Sequence, residues 1–125
     1  MVPAVDEVRV VVVDDVSDVA EMLACTLEFD GYSVKTAADG AQALAVIEAY
    51  RPHCVLLDID MPGMNGCELS DRLRQRYGDD LVLIAITGWG DPGDRVSDTF
   101  SRFDHYIRKP FDPALLRKIL PPISA

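Results

Sequence analysis

Carboxylates, a hydroxyl and an ammonium group stand at the ends of four apolar runs. Val10-Val11-Val12-Val13 runs into Asp14-Asp15, and Val55-Leu56-Leu57 into Asp58. Residues 81–86 run into Thr87, and Tyr106-Ile107 runs through Arg108 into Lys109. If the runs are parallel strands of one sheet, these groups line the edge at which open α/β sheets bind ligands. Two carboxylates about 4 Å apart repel by about 4 kcal/mol at an effective dielectric near 20. Three together therefore demand a counter-charge. A divalent cation with oxygen ligands supplies it, and Mg²⁺ (or Mn²⁺) suits one or two carboxylates, waters and a phosphate. Lys109 adds a second positive group. Cation, ammonium and hydroxyl around one carboxylate suit phosphoryl transfer, because each can take one of the equatorial oxygens of the transition state. Asp58 is then the nucleophile, and an aspartyl phosphate the product.

The elements that must position these groups follow from hydrophobic period and turn chemistry. Strand-like and helix-like stretches alternate five times. The first strand is predicted over 8–13. A helix follows, with Asp18 as N-cap, Glu21 completing a capping box and Gly31 as its stop. Its apolar stripe reads Val19, Met22, Leu23 and Leu27. A second strand over 32–37 ends on nothing chemical, which suits an edge. The second helix spans 40–50, with Leu44, Ala45 and Ile47 inward and Pro52 barring its continuation. The third strand, 53–58, leads into the loop 60–64. A third helix follows, capped by Asn65 and Glu68, with Leu69 and Leu73 inward and an end near Gly78. The fourth strand is 81–86. Next come a Gly-rich loop, a short polar fourth helix over 92–101 and a fifth strand over 104–107. The last helix has Asp112 as N-cap, Pro113 at the first helical position, and Leu115, Leu116, Ile119 and Leu120 inside. Five βα units imply an α/β protein with a parallel sheet and helices on both faces, joined by right-handed crossovers. A flavodoxin-like three-layer sandwich of strand order 2-1-3-4-5 with five helices fits best. That order makes Asp14-Asp15 and Asp58 neighbours.

At 125 residues, 49% of them hydrophobic, the chain fits one domain with a sizeable core. The domain is placed at 8–120, with short extensions at 1–7 and 121–125. No apolar stretch approaches the roughly 20 residues of a membrane span, and Met1-Val2-Pro3-Ala4 lacks the pattern of a signal peptide. A cytoplasmic protein with no membrane partner is expected. The net charge of −9 argues against direct nucleic-acid binding, which needs a basic face. Cys25, Cys54 and Cys67 are odd in number and lack metal-type spacing, so each reads as a small buried hydrophobe. His53 and His105 are isolated and read as structural or exposed.

The spacing of Asp14-Asp15, Asp58, Thr87 and Lys109-Pro110, with the segment Asp58-Ile59-Asp60-Met61-Pro62-Gly63-Met64-Asn65-Gly66, closely resembles the receiver domain of two-component response regulators. The resemblance covers 8–120. It implies that Asp58 is the phosphoacceptor, Asp15 a direct Mg²⁺ ligand, and Asp14 a ligand acting mostly through water. The Asp60 carbonyl would be a further metal ligand. Thr87 would move toward the phosphoryl group, Lys109 would pair with one of its oxygens, and Pro110 often follows a cis peptide in the family. Tyr106 holds the aromatic switch position.

Phosphorylation would then change the surface of the fourth helix, fifth strand and fifth helix. The donor implied is a phosphohistidine on a sensor histidine kinase or histidine phosphotransfer protein, docking near the first helix and the loop after the fifth strand. The output partner is unknown. The chain is expected to be a phosphoprotein switch and not an enzyme, acting as a monomer or a phosphorylation-dependent dimer. It reads either as a stand-alone, chemotaxis-type receiver or as one excised from a longer protein. The segments Thr87-Gly88-Trp89-Gly90 and Phe103-Asp104-His105-Tyr106 look most like receivers of hybrid sensor histidine kinases.

Two departures from the family pattern stand out. Asp60 adds a carboxylate where the family often has a neutral side chain, which would strengthen metal attraction and repel an attacking hydroxide. Ser101-Arg102 replace a small pair before the fifth strand. Blander readings remain for single residues. The Asp pair could cap a helix, although Asp18 is assigned that task. Asp58 could be a turn residue, Thr87 a loop hydroxyl, Lys109 a solvated charge and Tyr106 a ring that never switches. Trp89 is either a loop residue or a gate over the site. Asp58-Ile59-Asp60 also resembles the nucleophile motif of haloacid-dehalogenase-type phosphatases, but their acidic pair lies downstream of the nucleophile. A receiver that no longer takes phosphate and a flavodoxin-like cofactor binder complete the alternatives.

Overall fold

Apolar runs such as residues 10–13 and 54–57 make strands only where both faces of the sheet are covered. The computed structural model meets that condition. It describes residues 8–59, 66–87, 103–108, 112 and 114–120. Five parallel strands, β1 (Arg9–Val13), β2 (Ser33–Ala37), β3 (Cys54–Asp58), β4 (Val82–Thr87) and β5 (His105–Arg108), are arranged in the order β2-β1-β3-β4-β5. This is the α/β architecture and strand order expected. The four α-helices among the described residues are α1 (Ser17–Phe29), α2 (Gly40–Tyr50), α3 (Gly66–Tyr77) and α4 (Ala114–Ile119). The last corresponds to the fifth helix expected from sequence. The helix expected over 92–101 lies outside the described residues, as do Asp60, Asn65, Trp89, Lys109, Pro110 and Pro113 and the two terminal extensions.

Alternation along the strands divides the core in two. Val11, Val13, Val55, Leu57, Leu83 and Ala85 pack with Ala43 and Ile47 of α2 and Leu69 and Leu73 of α3. Val10, Val12, Leu56, Ile84, Ile86 and Ile107 pack on the other face with Ala20, Leu23 and Leu27 of α1 and with Leu116. β2, as expected, is an edge strand.

The helix ends explain where the strands can begin. α1 closes in a Schellman motif: Gly31 adopts φ 103°, its N–H donates to Glu28 O, and the Tyr32 N–H donates to Leu27 O, both at 3.0 Å. α2 starts at Asp39, whose Oδ1 accepts the Gln42 N–H at 2.7 Å. It ends on Arg51 at φ 52°, directly before Pro52. The Arg9 side chain crosses to this end and donates to Tyr50 O at 3.0 Å and Arg51 O at 2.8 Å. α4 has its expected cap, with the Ala114 N–H donating to Asp112 Oδ1 at 2.9 Å.

Several sequence expectations are corrected. Asp18 is not the N-cap of α1; Val16 is, with no side-chain cap, and Asp18 lies inside the first turn. A carboxylate there still faces the positive end of the helix dipole. The buried stripe of α1 is Ala20, Leu23, Ala24 and Leu27, while Met22 is 64% exposed. On α2, Gly40, Ala43 and Ile47 are buried and Ala45 is exposed. On α4, Leu115 is 40% exposed. On α1 the small side chains of Ala20 and Ala24 share the sheet-facing phase with Leu23 and Leu27, which turns Met22 outward. Cys54 is buried as expected, but Cys25 is exposed. Burial, and then the Asp104 charge, push the Cys54 thiol far above its ordinary value.

Candidate functional site

The strand order reverses direction between β1 and β3, and ligands of such sheets sit outside the carboxyl ends of the strands at that point. The register brings the acids there. Val13 pairs with Leu57 at the end of the β1–β3 ladder, so Asp14 and Asp58 are the next residues along adjacent strands. Asp58 in turn pairs with Ile86, which places Thr87 one step further on β4. Arg108 pairs with Thr87 and directly precedes Lys109 in the chain.

Backbone and side-chain bonds hold the bend after β1. The Asp14 N–H donates to Ala37 O at 3.0 Å, extending the β1–β2 ladder by one residue. Asp14 Oδ1 accepts the Val16 N–H at 2.9 Å. An acid that accepts from the backbone N–H two residues ahead makes an Asx turn, and here it leads straight into α1. A cavity of about 150 Å³ opens beside Asp14, lined by Ser17, Glu21, Thr36 and Gln42 among others.

One carboxylate oxygen from each of Asp14, Asp15 and Asp58 lies within 4.8 Å of the others. Asp14 and Asp58 are each only 4% exposed, Asp15 is exposed, and Thr87 is fully buried. Two buried carboxylates beside a third are costly without a cation. Hard oxygen donors with one side open to water are the ligand set of Mg²⁺. The residues present therefore fit that ion. The three acids expected to converge do converge, and Thr87 shares their edge. Tyr106 stands on β5 with 54% of its surface exposed. Asp60 and Lys109 lie outside the described residues.

Two features escaped sequence reasoning. One is the Val16 N–H on Asp14. No side-chain signal marks a backbone donor. The other is a clamp at the opposite end of the sheet. Asp104 Oδ2 accepts the Leu83 N–H at 2.9 Å and meets Arg74 Nη2 at 2.8 Å. Arg74 Nη1 also donates to Gly78 O at 2.8 Å and Leu81 O at 2.7 Å. Partial burial alone would push the Asp104 carboxyl up. The Leu83 N–H, the Arg74 guanidinium and His105 outweigh it and hold the carboxyl below its ordinary value. An Asp just before a strand was the available signal.

Comparison with known proteins agrees with this geometry. A family model described as the response regulator receiver domain matches residues 10–121. The response regulator MprA of Mycolicibacterium vanbaalenii is 42% identical over 104 residues, which is 83% of this chain and 45% of MprA. The chain thus spans about half the length of the curated relatives it matches. Among solved structures, the response regulator TrrA of Thermotoga maritima, in complex with Mg²⁺ and BeF, superposes with TM-score 0.79 at 29% identity. The match covers 90% of this chain and 95% of TrrA. The chemotaxis response regulator CheY4 of Vibrio cholerae superposes with TM-score 0.81 at 30% identity, with the same coverages of 90% and 95%.

Proposed function

The chain belongs to the response regulator receiver domain family, and from that premise we propose that Asp58 is its phosphoacceptor, charged by a phosphohistidine donor. The observation that carries the proposal is the meeting of Asp14, Asp15 and Asp58 within 4.8 Å at the switch point of the sheet. A carboxylate oxygen of Asp58 forms the new bond to phosphorus while the bond from phosphorus to the donor histidine nitrogen breaks. Asp14, Asp15 and Asp58, with the Asp60 carbonyl, would hold Mg²⁺, which when bound neutralises charge on the transferring group. Lys109 takes a phosphoryl oxygen by charge-assisted hydrogen bonding. Thr87 donates its hydroxyl to another.

The phosphoryl group brings about −1.5 to −2 charges. Thr87 is buried at the end of β4, and Tyr106 pairs with Ala85 on the neighbouring strand. We assign these two side chains the relay: movement of Thr87 toward the phosphoryl group opens space for the Tyr106 ring. The domain samples both states beforehand, and phosphorylation shifts their populations.

The donor is a sensor histidine kinase or a histidine phosphotransfer protein. Its docking face is α1, where Val16 and Met22 are 51% and 64% exposed near the acids and Phe29 is 92% exposed at the far end. No helix among the described residues is long and apolar enough to cross a membrane, which is compatible with meeting such a donor in the cytoplasm. The domain is assigned to 8–120, and it turns over no separate substrate.

Intact mass after treatment with acetyl phosphate and Mg²⁺ tests the reading. Wild type gains one phosphoryl group, and Asp58→Ala gains none. A wild type that stays unmodified by acetyl phosphate and by beryllofluoride refutes it.

A further inference from the structure

We propose that the backbone amide of Val16 is a positioning group for the metal site, orienting the Asp14 carboxylate before a cation arrives. The inference rests on the Mg²⁺ reading above and adds to it a group outside the acidic cluster. Asp14 is fixed at two points. Its own N–H is tied to Ala37 O at 3.0 Å, which sets the backbone at the end of β1. Its Oδ1 is tied to the Val16 N–H at 2.9 Å, which sets the side chain. With both bonds in place the carboxylate plane has little freedom, and Asp14 is 4% exposed, so bulk water offers few competing partners.

Val16 is itself held. It is the N-cap of α1 in an extended conformation, φ −92° and ψ 102°. Its carbonyl accepts the N–H groups of Val19 and Ala20, both at 3.1 Å. The amide that orients Asp14 is therefore anchored on a helix of thirteen residues packed by Leu23 and Leu27. A carboxylate aimed beforehand by a rigid donor binds a cation without first losing side-chain freedom. Partners that orient metal ligands in this way typically contribute roughly ten- to a hundredfold in affinity. The Val16 side chain has no part in the bond.

Val16→Pro removes the N–H and keeps the carbonyl. Its ring prefers φ near −65°, close to the φ of −92° found at this position. Val16→Ala keeps the N–H and removes most of the side chain. In calorimetric titration with MgCl₂, Val16→Pro should bind roughly ten- to a hundredfold more weakly than wild type. Val16→Ala should bind within about twofold of wild type, as expected where the hydrogen bond to the ligand is retained. Equal affinity of a cooperatively melting Val16→Pro and wild type overturns the proposal. Should Val16→Pro fail to fold, exchange of the Val16 amide in the wild type decides instead. Saturating Mg²⁺ should slow it, because a bound carboxylate swings away from the amide less often. An unchanged rate in protein that binds Mg²⁺ overturns the proposal equally. Wild type that binds no Mg²⁺ is a different failure, that of the phosphoacceptor reading itself.

Discussion

Three carboxylates within 4.8 Å make Asp58 a residue that serves function against stability. Each close pair repels by up to about 4 kcal/mol at an effective dielectric near 20, and two of the three side chains are buried. Asp58→Asn should therefore raise the melting temperature in EDTA. Wild type should gain stability as MgCl₂ is added, because the cation binds the folded state alone. The variant should lose most of that gain. Thermal melts of both proteins across an MgCl₂ series check this, and parallel curves would contradict it. Asp104 shows the reverse case, an acid that stabilises. The Leu83 N–H and Arg74 hold its carboxyl below the ordinary value, so the folded protein favours the ionised form. For a lowered carboxyl, stability is present above the unfolded pKa and is lost as pH falls through the folded one. Asp104→Ala should cost about 1 kcal/mol at neutral pH, where a half-buried N–H loses its partner. The difference from wild type should shrink steadily below pH of about 4. Urea denaturation at pH 7 and pH 3 measures both parts.

Helix α1 joins the site to the surface. Its N-terminus supplies the Val16 amide to Asp14, its buried stripe packs on the sheet, and its outer face carries Met22 and Phe29. Met22 lies six residues beyond the N-cap Val16, which is nearly two helical turns from the end that carries the acids. Replacing Met22 by Asp should slow phosphotransfer from a histidine donor about tenfold or more, since central apolar contacts carry most of the energy of an interface. Phosphorylation of the same variant by acetyl phosphate should proceed at the wild-type rate. That pair of assays separates docking from chemistry: slowing with both donors would mean that the change disturbs the site.

The whole molecule depends on a sheet covered on both faces. Leu57 is fully buried among α2 and α3 side chains and sits next to Asp58. Leu57→Ala should cost about 2–5 kcal/mol of unfolding free energy, the range for cavity-forming core truncations. It should also weaken Mg²⁺ binding, because the strand that presents Asp58 loses its packing. Chemical denaturation with and without MgCl₂ tests both statements.

Much of this was legible in the residues. The alternation of strand and helix patterns, the apolar runs long enough for buried strands, and turn residues such as Gly31 and Asp112 are local signals. Together with the right-handed crossover rule they narrow the sheet to a few orders, of which 2-1-3-4-5 fits best and brings Asp14 beside Asp58. The spacing of the acids, Thr87 and Lys109 pointed to phosphoryl chemistry because few other uses explain three carboxylates at one edge. What tertiary structure decided was phase and partnership. Whether Met22 or Ala20 faces the sheet depends on how closely α1 approaches it, and a helical period cannot report that distance. Asp18 has the residue type of a cap, yet the helix begins before it, with the Val16 carbonyl already accepting the Val19 and Ala20 N–H groups. Arg74 and Asp104 lie thirty residues apart and meet at 2.8 Å only once α3 and β5 are in place. Local patterns set which elements form and in what order. The donors and acceptors that complete them come from chain segments whose distance is known only when the sheet has closed its faces.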